Sequence, residues 1–296
     1  MKFGIIGNHA KESLVESVVQ LLAASEKRPL EFFLHEELAK LINKDAGKRI
    51  VLKKQIVPIE ELVSHSDMLV AFGGDGTILS AARLVGRASV PILGVNLGKL
   101  GFLAELSASE VDSFVDDILN NQHVIQERMV AKATIEGVDE QLFGLNDIVV
   151  DKSGSSRVIN VETHVNNDYL ATYAGDGIVI ATPTGTTGYS LAAGGPIVIP
   201  SSEVLTISPI SPHTLAARSV VVPDSSVIRI VVESRTDEVR ITADGQQEKV
   251  VKPPVTLYVQ KADYTIKLVK RKDKTYYDVL RRKLMLGKDV RVERME

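Results

Sequence analysis

The sequence predicts an α/β domain, Rossmann-like and built on a parallel sheet, followed by an all-β domain of stacked, sandwich-like sheets. Two observations carry this. Over the first 120 residues, short apolar runs alternate with segments of helical periodicity, the rhythm of βαβ units. After about residue 125 the helical segments stop, and runs rich in Val, Ile, Thr and Tyr follow one another between turn signals. A chain of 296 residues is long enough for two average domains of roughly 150 residues each. The expected division is an α/β domain over 1–125, a β-rich domain over 126–270, and a C-terminal segment, 271–296, that packs back on the α/β domain.

Lys2–Gly7 (KFGIIG) is an apolar run ending in Gly-Asn, and Glu12–Ala24 places Leu14, Val15, Val18, Val19, Leu21 and Leu22 on helical spacing. The second strand lies at Glu31–Leu34 or at Arg49–Leu52. Met68–Gly73 (MLVAFG) is nearly continuous in apolar residues, which suits a strand covered on both faces of a parallel sheet. Thr77–Val85 is helical directly after its glycines, Pro91–Asn96 is a further strand, and Ser109–Leu119 is a helix capped by its serine. In the second half the predicted strands are Val158–Val165, Tyr169–Tyr173, Gly177–Ala181, Val227–Glu233, Val239–Ala243, Val255–Gln260 and Tyr264–Val269. Turn signals at Asn166-Asn167-Asp168 and Asp244-Gly245 separate them. The next helix of convincing length is Tyr276–Met285.

Composition excludes whole classes of function. There is no cysteine, which removes disulfides, Cys-ligated metals, thiol nucleophiles and Fe–S clusters. The net charge of −3 sets up no global positive field for nucleic acid, and 5% aromatic content without Trp leaves little to stack bases on. The start, MKFGIIGNHAKES, carries charges too close to its short apolar run for a signal peptide, so a cytoplasmic protein is expected. From Gly177 to Ala217 the only formal charge is Glu203, yet Pro183, Pro196, Pro200, Pro209 and Pro212 interrupt the stretch. It reads as buried strands and tight uncharged loops, not a membrane span. Residues 267–296 hold 11 Lys and Arg against 5 Asp and Glu; a solvated basic face and a phosphate-attracting site are both open readings.

Gly73-Gly74-Asp75-Gly76-Thr77 sits between a buried strand and a helix, where open α/β sheets bind ligands. Glycines there allow close backbone approach and positive φ. The amides of Gly73, Gly74, Gly76 and Thr77, with the helix they open, form a natural phosphate cradle. A carboxylate in such a cradle would repel bare phosphate, so Asp75 acts on a hydroxyl proton or a metal ion, unless it is simply the helix cap. No P-loop, G-x-G-x-x-G, G-x-S-x-G or H-E-x-x-H pattern is present, and no protein-held metal is assigned. Asn96-Leu97-Gly98-Lys99-Leu100-Gly101-Phe102-Leu103 follows a strand and is too glycine-rich for a plain helix. Thr182-Pro183-Thr184-Gly185-Thr186-Thr187-Gly188-Tyr189-Ser190 carries four Thr, one Ser and one Tyr. That array of uncharged donors and acceptors suits a nucleotide, or else the threonines serve strand propensity. Asn146 and Asp147 form a polar pair inside the apolar run Phe143–Val150, where polar groups need partners.

Taken together, GGDGT, NLGKLGFL, LNDIVV, GDGIVIATPTGTTGYSLAAGGP, ISPHTLAAR and ADGQ occur in the order and rough spacing of the NAD kinase family, bacterial type. The resemblance runs from about residue 3 to about residue 270. Lipid kinases and phosphofructokinases carry turns similar to GGDGT, whereas the T-P-T-G-x-T-x-Y string closing in Gly194-Gly195-Pro196 is far more specific. Thr186-Thr187-Gly188-Tyr189 stands where the commonest family string has Ser-Thr-Ala-Tyr. The resemblance implies transfer of phosphate from ATP, or from polyphosphate, to the 2′-hydroxyl of the adenosine ribose of NAD, giving NADP. It implies Asp75 as general base beside Gly76, and a divalent metal, Mg²⁺. Phe102 would line the adenine pocket, Asn146 and Asp147 would bind ribose and adenine, and Thr187, Gly188, Tyr189 and Ala192 would continue that pocket. Asp176 would hold the nicotinamide half of an NAD bound by a neighbouring subunit, with Arg157 and Gln246 as further ligands. A homodimer or homotetramer assembled through the β domain follows from the same resemblance, with no nucleic acid and no membrane among the partners. A lipid or sugar kinase on the same GGDGT architecture and a non-catalytic pyridine-nucleotide sensor are the competing readings.

Overall fold

The computed structural model describes residues 1–24, 28–45, 51–99, 101–104, 106–235 and 238–286. Arg49 and Ile50 of the alternative second strand, Leu100 of the glycine-rich segment, and 287–296 of the C-terminal segment lie outside the described residues. The chain divides into two compact units, Met1–Gln126 with Lys267–Glu296, and Glu127–Ile266.

In the first unit β1 (Lys2–Gly7), β2 (Glu31–Leu34), β3 (Met68–Gly73), β4 (Ile92–Asn96) and β5 (Leu106–Ser107) form a parallel sheet in the order β2-β1-β3-β4-β5. Helices α1 (Leu14–Ala24), α2 (Glu36–Asp45), α3 (Asp75–Val85) and α4 (Val111–Leu119) alternate with the strands. Every residue of β3 is buried, as its apolar run requires of a strand covered on both faces. Phe3, Ile5, Val70, Phe72 and Val95 of the sheet share one core with Leu14, Val18 and Leu21 of α1 and Leu38 and Ile42 of α2. Each such side chain withdrawn from water is worth about 1.5–3 kcal/mol. The second strand is Glu31–Leu34, with Phe32 beside Phe3. The helix α2 escapes sequence reading because its charges hide the single buried stripe Leu38, Ala39 and Ile42. Ser107, and not Ser109, caps the 3-10 turn Ala108–Glu110 that leads into α4: the Ser107 amide and hydroxyl both donate to Glu110 Oε2, at 2.9 and 2.7 Å. Strand order reverses between β1 and β3, which makes their carboxyl ends the switch point of this sheet, and GGDGT closes β3 there.

The strand β6 (His123–Ile135) carries the chain into the second unit. There follow β7 (Leu142–Gly144), β8 (Asp147–Asp151), β9 (Ile159–Val165), β10 (Asp168–Gly175) and β11 (Gly177–Ala181). After the one-turn helix α5 (Tyr189–Ala192) come β12 (Val204–Ile210), β13 (Val220–Pro223), β14 (Ile228–Glu233), β15 (Val239–Ala243), β16 (Gln247–Val251) and β17 (Val255–Arg271). One antiparallel sheet runs β13-β12-β11-β8-β15-β16, and in the other β9 pairs with β10 and β14, and β14 with β17. Alternate residues of both sheets build one core: Ile148, Val150, Ile178, Ile180 and Ile241 meet the set Ile159, Val161, Ile228, Ile230 and Leu257, all fully buried. The two strands predicted at Val255–Gln260 and Tyr264–Val269 are one, because no glycine or proline interrupts the chain between them.

From Lys267 the end of β17 belongs to the first unit, where Leu268 pairs in parallel with Ile92 of β4. α6 (Tyr276–Leu284) follows, capped by Thr275 in a reciprocal pair with Asp278. Arg271 and Lys274 meet Glu110, and Arg281 meets Asp278, so part of the basic excess is absorbed in ion pairs. Among the described residues no helix is long and apolar enough to cross a membrane.

Candidate active site

In the first unit the site is built on Asp75. The sequence leaves Asp75 open as a helix cap, but Gly74 is the N-cap, in extended conformation, and Asp75 is the first residue of α3. Its side chain turns to the segment after β4. Oδ2 accepts the amide of Phe102 at 2.8 Å, and Oδ1 accepts those of Leu103 and Ala104 at 3.0 and 3.2 Å. Three hydrogen bonds to a charged acceptor fix the carboxylate's orientation strongly. Glycine is obligatory at position 101, since a Cβ there would lie 1.9 Å from Asp75 Oδ1. The segment begins with an Asx turn in which the Gly98 amide donates to buried Asn96 Oδ1 at 2.9 Å.

The glycines of GGDGT act by space and not by positive φ, which none of Gly73, Gly74 and Gly76 adopts. A Cβ on Gly73 would lie 2.0 Å from Thr77 Oγ1, so this glycine lets the strand turn into the helix. Around Gly74 and Gly76 a Cβ would meet nothing within 4 Å, which leaves that rim open to a ligand. Half-buried Phe102 stands beside the segment, with Lys283 of α6 over its ring at 5.6 Å.

In the second unit Asn146 and Asp147 open β8 beside a cavity of about 440 Å³ lined by Asn146, Asp147, Asp151, Tyr189, Arg240 and Asp244, among others. Asp244, in the loop between β15 and β16, takes the amides of Leu145, Asn146 and Asp147 at 2.8, 2.7 and 3.1 Å. The pair's backbone is therefore clamped, while the side-chain Oδ1 of Asn146 is buried without a partner. Burial, and after it the charge of Asp244, push the Asp147 carboxyl up to about 7. Asp244 is a candidate site residue that sequence reading missed. Its turn signal and the ADGQ string were visible, but not the strand it reaches across to.

Two buried hydroxyls of the threonine-rich loop bond backbone carbonyls, and a third, Thr184 Oγ1, is buried without a partner. Thr182, Thr184 and Thr186 are buried; Thr182 Oγ1 donates to Leu145 O at 2.6 Å and Thr186 Oγ1 to Pro183 O at 2.8 Å. Thr187 Oγ1 donates to Thr184 O at 3.3 Å. The loop's main contribution is close approach: a Cβ on Gly185 would sit 2.0 Å from Asn146 O. Gly188 lies against the same pair, its Cβ position 3.6 Å from Asn146 Nδ2.

Two family descriptions cover most of the chain: residues 3–124 match the ATP-NAD kinase N-terminal domain, and residues 145–271 the ATP-NAD kinase C-terminal domain. A NAD kinase of Bacteroides fragilis is 37% identical over 294 residues, 99% of this chain and 100% of that protein. The chain belongs to the NAD kinase family. A second NAD kinase, from Caldanaerobacter subterraneus, is 39% identical over 289 residues, 96% of this chain and 98% of the relative. In three dimensions the chain is similar to yeast NADH kinase solved with NADH, at a TM-score of 0.89 and 25% identity, over 99% of this chain and 89% of that one. It also shares its fold with a NAD kinase from Archaeoglobus fulgidus solved with ATP, at a TM-score of 0.75 and 24% identity, over 96% and 99% of the two chains.

The other residues that the NAD kinase resemblance nominates are scattered over the second unit. Asp176 is paired with Lys152 at 2.7 Å, and that hydrogen bond holds its carboxyl below the usual range. Its charge also reaches Tyr189, whose phenol is pushed up by burial first and then by Asp151 and Asp176. Gln246 follows Gly245 in the β15–β16 loop, its amide bonded to Ala243 O at 3.0 Å, and Ala192 is exposed at the end of α5. Exposed Arg157 stands apart from the Asn146 cavity and lines a separate one of about 640 Å³ with Asn160, Glu233 and Arg235.

Proposed function

We propose that the protein transfers the terminal phosphate of ATP to the 2′-hydroxyl of the adenosine ribose of NAD, yielding NADP and ADP. The observation that carries the chemistry is the three-amide hold on Asp75. A carboxylate has about four lone-pair positions, and three amides leave one, on Oδ2. That position orients the acceptor hydroxyl and takes its proton as the new O–P bond forms. Phosphoryl transfer asks the protein for positioning and charge stabilisation more than covalent chemistry. The open rim at Gly74 and Gly76, with the amides of Gly73, Gly74, Gly76 and Thr77 at the N-terminus of α3, favours phosphate oxygens.

Asn146 and Asp147 are the adenosine ligands in this reading, supported by the partnerless Oδ1 of Asn146, with Phe102, Thr187, Gly188, Tyr189, Ala192, Arg157, Asp176 and Gln246 as further contacts to NAD. Among the described residues no three His, Cys, Asp or Glu stand together to hold a metal ion. A Mg²⁺ brought in with the phosphates would neutralise charge on the transferring group. A homo-oligomer, a dimer or a dimer of dimers in the cytoplasm, belongs to the same reading. It is supported by Leu215, 96% exposed, and by exposed Ile199 and Val221.

The test is purified protein with Mg²⁺, ATP and NAD, with NADP detected by a coupled dehydrogenase. NADP formed in proportion to enzyme is expected; ATP turnover without NADP would overturn the reading. Asp147→Ala should raise KM for NAD far more than KM for ATP, and equal shifts would assign Asp147 to stability alone.

A further inference from the structure

Lys270, next to last in β17, is 4% exposed, and a lysine is almost never buried unless its charge is used. Its Nζ donates to Leu103 O at 3.0 Å. That carbonyl belongs to the same peptide unit as the Ala104 amide, which donates to Asp75 Oδ1 at 3.2 Å. The amide of Leu103 donates to the same oxygen at 3.0 Å. One ammonium therefore polarises a peptide whose N–H points at the carboxylate, and hydrogen bonds linked in this way strengthen one another. An apolar side chain of similar volume would commonly be no less stabilising than a buried charge, so stability alone does not account for a lysine here. Parallel pairing of Leu268 with Ile92 sets the register that brings Lys270 to this segment.

We propose that Lys270 is a positioning residue for phosphoryl transfer: through the Leu103–Ala104 peptide it sets the amides of residues 102–104 that hold the Asp75 carboxylate toward the acceptor hydroxyl. This rests on the reading of Asp75 as the proton acceptor. Lys270 touches no substrate, so its removal acts on turnover and not on affinity.

The experiment compares Lys270→Met, Lys270→Gln and Lys270→Arg in the full chain, each alone and with Asp75→Asn, by steady-state kinetics on NAD and ATP and by thermal melting. Lys270→Met, unbranched, one atom shorter and without the charge, should lower kcat about 10- to 100-fold, the scale of a small misplacement at a reacting group. KM for both substrates should stay within about threefold of wild type, since affinity is not what the lysine supplies. Lys270→Arg should recover most of the rate. Lys270→Gln, neutral and one atom shorter, should not, and it serves as the deciding variant if the methionine form does not fold. In the Asp75→Asn background Lys270→Met should cause no further loss of the residual rate. A folded Met or Gln variant with kcat within threefold of wild type, or an equal loss in both backgrounds, would overturn the proposal. An Asp75→Asn enzyme with near-normal kcat would instead remove the reading of Asp75 itself, so the two failures are distinguishable.

Discussion

Each unit of this chain carries an aspartate that accepts three consecutive backbone amides with the same division, one on Oδ2 and two on Oδ1. Asp75 takes those of Phe102, Leu103 and Ala104 in the α/β unit. Asp244 takes those of Leu145, Asn146 and Asp147 in the β unit. The surroundings separate them. Asp75 begins a helix whose N-terminus welcomes negative charge, beside glycines with open space around them. Asp244 lies near a second, buried carboxyl and pushes it toward the neutral form. One hydrogen-bonding device thus fixes a carboxylate at the start of a helix in one unit and, in the other, fixes a backbone beside a second carboxyl.

That contrast can be broken at four places. The largest effect is expected at Asp75. Asp75→Asn places an amide nitrogen against the Phe102 N–H, which costs about 1 kcal/mol of stability, and it removes the proton acceptor, which lowers kcat about 100- to 10,000-fold. Affinity for NAD, measured by calorimetry, should be unchanged, and a kcat within threefold of wild type would contradict the role. Next comes Asp244→Ala, which leaves three amides without their acceptor. A loss of about 3 kcal/mol in denaturant unfolding is expected, with a raised KM for NAD and little change in kcat. A variant as stable as wild type would mean that the clamp carries no strain-free burden of the fold.

The third test sharpens the electrostatic half of the comparison. A carboxyl at about 7 in the folded state, against about 3.9 unfolded, takes up a proton on folding between those values. Its contribution to stability is therefore present below about pH 4 and is lost as pH rises through about 7. Asp147→Asn should remove this component and stabilise the protein by about 4 kcal/mol at pH 8, but not at pH 4, read from unfolding curves at both pH values. An identical difference at the two pH values would contradict a raised Asp147. The smallest effect is expected from Gly188→Ala, which restores the commoner family residue. The new Cβ would lie 3.2 Å from Gly185 O and 3.6 Å from Asn146 Nδ2, so a shift of a few tenths of an ångström accommodates it. KM for NAD should change by less than about threefold, consistent with under 1 kcal/mol for a small packing change; a tenfold change would show that the adenosine side tolerates no added atom.

Much of the architecture was legible because it is local. The apolar runs at Lys2–Gly7 and Met68–Gly73 are strands at their predicted bounds, and Gly177–Ala181 and Val239–Ala243 likewise. Periodicity and glycine placement report on neighbours along the chain, and these elements depend on little else. Where the local signal was weak, the reading failed for identifiable reasons. α2 buries only a narrow stripe, and the charges Lys261 and Asp263, on exposed positions of β17, divide its apolar run although nothing there breaks a strand.

The candidate site divides along the same line. GGDGT, Asn146-Asp147 and the threonine-rich string identify themselves by residue type and order, and with them the family. What those residues do to one another depends on distant parts of the chain. Phe102 lies 27 residues from Asp75, Asp244 lies 98 from Asn146, and Lys270 lies 167 from Leu103. Of the four threonines that a composition argument offers to a ligand, Thr182, Thr184 and Thr186 are buried once the loop folds over Leu145 and Asn146. A hydrogen bond is decided by ångströms and direction at the point where two segments cross, and no periodicity along either segment encodes that crossing. The chemistry available was therefore written in the order of residue types, whereas the orientation of Asp75, the raised carboxyl of Asp147 and the burial of Lys270 against Leu103 O came from packing.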